Sequence, residues 1–152
     1  MTCDTILHLS VSVNSTTSRN SMKTLIIHHN ADNDGWFSGW ILRYWLEKRG
    51  EECTTVGWNY GDPCPSIEGY DKIFMADISI PELLEDKTLW SKIVWIDHHK
   101  SAIDKYDNEN IAGIRIDGVA ACRLCWQCMT NENGVLNYND FYTRSLKEPY
   151  VV

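Results

Sequence analysis

The chain contains no apolar run near the ~20 residues that a helix needs to span a bilayer, so no membrane segment is expected. It also lacks an excess of positive charge. Fourteen Lys and Arg face 21 Asp and Glu, for a formal net charge of −7. That balance argues against tight binding to duplex nucleic acid, which needs a cationic surface to displace counterions. A small anionic substrate remains compatible, because bound divalent cations reverse the local sign. The opening, MTCDTILHLSVSV, has no basic n-region, and His8, Ser10 and Ser12 interrupt its apolar run. It makes a poor export signal, so a cytoplasmic, reduced setting is the default for the six cysteines. There is no internal repeat. Residues 14–21, NSTTSRNS, are polar and unpatterned, and residues 1–21 are expected to be a disordered N-terminal extension. Residues 22–152 are expected to form one domain, a length that can bury a sizeable core.

What is present is an alternation of strand-like and helix-like segments. Lys23–His28, Cys53–Trp58, Lys72–Ala76, Lys92–Ile96 and Ile111–Ile116 read as five strands, three of them nearly continuous apolar runs. Phe37, Trp40, Ile41, Tyr44 and Trp45 recur at helical spacing and predict the buried face of a helix ended by Gly50. A short helix is expected from Pro81, and another over about Val119–Met129. The loop Asn59–Gly69 is marked by Gly61, Pro63, Pro65 and Gly69. This order predicts an α/β fold: a parallel, Rossmann-like sheet of about five strands with helices on both faces.

Metal-type ligands recur where the strands end. The first strand runs into HHNADNDGW, with His28, Asp32 and Asp34; the third stops at Asp77; the fourth stops at Asp97, His98 and His99. In an open parallel sheet the strand C-termini share one edge, where ligands bind. A solvated turn explains Asp32 and Asp34 alone, but not the recurrence after separate strands. A calcium loop requires Glu at its twelfth position, where this chain has Ile41, and a preceding helix. A receiver-type phosphoacceptor site has no use for the histidine pair. Cys122, Cys125 and Cys128 have a spacing that could hold an iron–sulfur cluster. However, VAACRLCWQCM reads as a helix, and small core residues are the favoured reading.

Together these residues resemble the N-terminal domain of the DHH phosphoesterases, a family named for the triplet seen here as Asp97-His98-His99. The matching motifs are His28-x-x-x-Asp32-x-Asp34 with Gly35, Ser38 and Gly39 following, the strand ending MAD at Asp77, WIDHHKS at 95–101, and the small-residue helix start GVAAC at 118–122. The resemblance covers about residues 22–130.

It implies two divalent ions, usually Mn²⁺, with Mg²⁺ or Co²⁺ as substitutes. His28 and Asp32 would hold one ion and Asp34 and His98 the other, with Asp77 bridging them. His99 would contact the phosphoryl group, and Asp97 would orient the histidine pair. Such an enzyme would hydrolyse a phosphate ester of a nucleotide or short oligonucleotide. A non-catalytic nucleotide- or metal-binding module that keeps the same residues is the alternative, and a redox role for the cysteines is a distant third. The family's fourth motif, a further aspartate, has no convincing counterpart. Asp117 comes too early and Asp140 lies in a polar turn. The chain is therefore expected to be a partial protein, without the fourth ligand and the smaller C-terminal domain, and a poor enzyme on its own.

Overall fold

The computed structural model describes residues 21–106 and 109–130. The expected N-terminal extension up to residue 20, Asp140 and the rest of 131–152 lie outside the described residues. In chain order the elements are β1 (Lys23–His29), α1 (Asn33–Lys48), β2 (Glu52–Trp58), β3 (Lys72–Ala76), α2 (Pro81–Leu84), a 3₁₀ turn (Lys87–Leu89), β4 (Ile93–Ile96), α3 (Lys100–Tyr106) and α4 (Ala121–Thr130). The four strands are all parallel, in the order β2-β1-β3-β4. The chain thus leaves β1 in one direction to make β2 and returns on its other side to make β3. Such a switch of direction opens a crevice at the C-terminal ends of β1 and β3. No helix among the described residues is long and apolar enough to cross a membrane.

Side-chain alternation along the strands divides the core in two. Leu25 and Ile27, Ile73 and Met75, and Ile93 and Trp95 form one face, covered by Leu83 and Leu84 of α2 and Ala102 and Tyr106 of α3. Ile26, Phe74, Val94 and Ile96 form the other, covered by Leu42 and Leu46 of α1 and by Leu124, Cys125, Cys128 and Met129 of α4. Residues of β3 and β4 are buried at every position, which is why those segments read as continuous apolar runs rather than alternating ones.

Two expectations are corrected. The fifth strand is not a full strand. Residues 111–116 run parallel to β4 but meet it only through isolated bridges at Val94–Ala112 and Asp97–Arg115. Gly113 lies between them with φ +130°, so close to β4 that a Cβ would sit 1.9 Å from the Trp95 carbonyl oxygen. A backbone in that region cannot continue a regular ladder.

The buried face of α1 also differs. The helix buries Gly35, Ser38, Gly39, Leu42 and Leu46; of the expected face Ile41 and Trp45 pack half-buried against the core, while Phe37, Trp40 and Tyr44, like Trp36, are exposed. The small residues win because α1 lies directly on the end of β1. A Cβ at Gly35 would fall 2.1 Å from the His29 carbonyl oxygen, and one at Gly39 would fall 2.5 Å from Cδ2 of His28. Large aromatics cannot enter so narrow a gap.

The cysteines of α4 are helical, as expected. Cys125 and Cys128 are buried and Cys122 is half-buried, all as free thiols. Burial pushes the thiols up, Cys122 to about 11 with a further push from Asp34, so Cys125 and Cys128 sit in the core, and Cys122 at its margin, as neutral groups.

The packing of α1 yields a direct test. Gly→Ala in an exposed helix stabilises by up to ~1 kcal/mol. Here Gly39→Ala is expected to lower the unfolding free energy by about 1–3 kcal/mol through overpacking. Trp40→Ala, on the outer face, should change it by no more than about 0.5 kcal/mol. Urea denaturation reads both.

Candidate metal centre

The strand ends deliver the site. The β-sheet register pairs Ile27 with Met75 and Met75 with Trp95 on one face. The next positions on that face are His29, Asp77 and Asp97. Consecutive residues of a strand point to opposite faces, so only one histidine of the 28–29 pair can join them, and it is His29. Its Nδ1 lies 3.6 Å from Asp32 Oδ2 and 3.6 Å from Asp77 Oδ2. His28 was expected in this place. Instead it is buried against Gly39 under α1, with Nδ1 hydrogen-bonded to the His29 carbonyl oxygen at 2.8 Å. Neither group of converging ligand atoms contains it. The parity of strand positions was the signal in the sequence that distinguishes the two.

Asp77 occupies the middle. Its Oδ2 faces His29, whose Nδ1 also faces Asp32, while its Oδ1 lies 3.1 Å from Nε2 of His98. His98 Nε2 is in turn 3.6 Å from Asp34 Oδ2. Two ligand groups therefore share one carboxylate: His29, Asp32 and Asp77 on one side, and Asp77, His98 and His99 on the other, with Asp34 Oδ2 beside the second, 3.6 Å from His98 Nε2. The backbone of Asp77 has φ +62°, the one non-glycine residue in the left-handed region among those described. That conformation is uncommon, though Asp tolerates it better than most residues.

Each of the other aspartates is fixed by its own hydrogen bonds. Asp32 caps α1, accepting the Gly35 N–H at 3.0 Å. Asp34 accepts the Ala121 and Cys122 N–H groups at 2.9 and 2.7 Å, and so caps α4 from the opposite end of the sequence. Burial works against the Asp34 charge, but those N–H donors and His98 outweigh it and hold its carboxyl below the usual range. Asp97 is fully buried. Its Oδ1 accepts the backbone N–H of His98 at 2.7 Å and of His99 at 3.2 Å, and meets His99 Nδ1 at 2.7 Å. That last bond sets the ring orientation of His99. Burial pulls His99 down, but the bond to Asp97 and the neighbouring carboxylates more than compensate, and the net shift is upward.

The donor set fits divalent cations. Both oxygens of Asp77 and Nδ1 of His29 are buried without a hydrogen-bond partner in the protein. An unpartnered buried carboxylate is costly. Burial, followed by the charges of Asp34 and Asp32, pushes Asp77 up to about 6. Ligand atoms 3.1–3.6 Å apart approach the spacing that two bonds of about 2.1 Å at right angles produce. Carboxylate and imidazole donors without thiolate suit hard or borderline ions such as Mn²⁺ and Mg²⁺. Asp117 lies in an exposed turn and belongs to neither ligand group. No protein-family model matches the chain, and no curated protein matches it.

Asp77→Asn separates stability from binding. It removes a buried charge crowded by two others, and Asn suits a positive φ. In the presence of a chelator the variant is expected to be about 1 kcal/mol more stable than the parent, read as a higher melting temperature. Isothermal titration should show Mn²⁺ affinity largely lost. Retention of parental Mn²⁺ affinity would remove Asp77 from its central place.

Proposed function

We propose that the chain is a metal-dependent phosphohydrolase of the DHH type, acting on a phosphate ester of a nucleotide or short oligonucleotide. The observation that carries this reading is the Asp77 carboxylate, buried and unpartnered, with one oxygen turned to His29 and the other to His98. Two ligand groups joined by one carboxylate suit a two-ion centre, with Mn²⁺ the favoured ion. Ions held there would polarise a phosphoryl oxygen and lower the pKa of a bound water.

The chain's own residues account for the rest. His29, Asp32, Asp34 and His98 would fix the positions at which a phosphoryl group docks, and Asp32 and Asp34 arrive already oriented by the α1 and α4 caps. His99, held through Nδ1 by Asp97 and 37% exposed, would offer its other ring nitrogen to a phosphoryl oxygen. Asp97 does not reach the substrate; it keeps His99 in register. Positioning and charge compensation are what phosphoryl transfer asks of a protein.

The test is Mn²⁺-dependent hydrolysis of a short oligoribonucleotide, followed by chromatography of the products. Turnover should require Mn²⁺ and disappear in Asp77→Asn. Asp97→Asn should retain Mn²⁺ binding and lose about 10–100-fold in rate. Tight Mn²⁺ binding with no turnover of any phosphoester would favour the non-catalytic binding module instead.

A further inference from the structure

Beside the metal centre one large ring is held rigidly and yet left in solvent. Tyr60 lies two residues past the end of β2, in the turn Asn59–Asp62. That turn is closed from both sides: the Asp62 N–H donates to the Asn59 carbonyl oxygen at 3.0 Å, and Asp62 Oδ2 accepts the Asn59 N–H at 2.9 Å. The preceding residue Trp58 is pinned by its Nε1–H to the Pro63 carbonyl oxygen at 3.1 Å. The Tyr60 hydroxyl reaches across to the strand end that carries Asp77, accepting the Ser79 N–H at 3.3 Å and lying 3.4 Å from Ser79 Oγ. Despite these ties, Tyr60 is 56% exposed.

Its ring centroid is 6.0 Å from that of His29 and 5.5 Å from that of Trp58, at 67° and 71° between planes. Both neighbours meet it in T-shaped contacts, and neither lies parallel to its ring. A fixed aromatic plane against a metal-ligand candidate costs little further entropy to bind against.

We propose that Tyr60 is the stacking wall of the substrate site and selects phosphoesters that carry a planar heteroaromatic ring, such as a nucleobase. This rests on the phosphoester reading above. A phosphoryl group among Asp77, His98 and His99 would leave a base one sugar away, facing Tyr60. Stacking accepts every base because each has a π-face, so the selection is for a ring rather than for a sequence.

The experiment compares adenosine monophosphate with ribose monophosphate, by isothermal titration in Mn²⁺, on the parent, Tyr60→Phe, Tyr60→Ala and Trp40→Ala. The parent should bind the nucleotide more tightly than the sugar phosphate. Tyr60→Ala should bring the nucleotide roughly tenfold down, the scale of one lost base–aromatic stack, and leave ribose monophosphate and Mn²⁺ unchanged. Tyr60→Phe should keep the preference, and so should Trp40→Ala, an exposed ring further along α1.

Three results would overturn the proposal. Equal weakening of both ligands, or of Mn²⁺, would mean that Tyr60 only buttresses His29. A loss in Tyr60→Phe as large as in Tyr60→Ala would assign the effect to the hydroxyl. Equal affinity of the parent for the two ligands would mean that the ring is not read. If the parent binds neither ligand although it binds Mn²⁺, the phosphoester reading itself falls, and the role of Tyr60 falls with it.

Discussion

The close seating of α1 on the end of β1 is the constraint on which the rest of the structure depends. Gly35 passes over the His29 carbonyl oxygen and Gly39 over the His28 ring, at distances that leave no room for a Cβ. That contact fixes where α1 begins. Asp32 caps the helix and Asp34 stands in its first turn, so the seating also fixes where two carboxylates project. A helix displaced outward by the width of a methyl group would carry both away from Asp77 and His98. The crevice at the β1–β3 switch of direction would remain, but its ligands would no longer converge.

Asp77 shows the complementary strategy. Asp97 is matched through one oxygen, Oδ1, which takes three donors. Asp77 is left without a hydrogen-bond partner, in a left-handed backbone conformation, amid like charges. Sites kept in such a state tend to cost stability and to carry function. The surrounding rigidity supports that cost: β3 is buried at every position, and the residue after Asp77, Ile78, is fully buried and accepts the Trp95 Nε1–H through its carbonyl.

Much of this was legible in the amino-acid sequence. The apolar runs before Asp77 and Asp97 identify β3 and β4, and the parallel arrangement follows from the helices between strands. Asp32, Asp34, Asp77, Asp97, His98 and His99 all lie at the C-terminal edge, as their places at strand ends predict. The misses share a cause, which is that periodicity ranks residues by hydrophobicity while packing ranks them by size. Phe37, Trp40 and Tyr44 outscore Gly35, Ser38 and Gly39 as apolar residues, yet only the small ones fit against β1. Gly113 interrupts the fifth strand because a backbone contact needs it there, and no hydrophobic pattern encodes that. The choice of His29 over His28 turned on strand parity, which was readable from Asp77 and Asp97 but is obscured when two histidines stand side by side.

The double use of Asp34 has a consequence for how the molecule fluctuates. Its oxygens close the first turn of α4, from 87 residues away in sequence, while Oδ2 also faces His98. An α-helix whose opening donors are satisfied by a distant side chain frays when that side chain is drawn elsewhere. Occupancy of the site and order at the start of α4 are therefore thermodynamically linked, and the linkage runs equally in both directions. Amide hydrogen exchange at Ala121 and Cys122 reports on the centre without any ligand being observed. Anything that pulls on α4 from outside acts, through one carboxylate, on the chemistry at the other end of the bond.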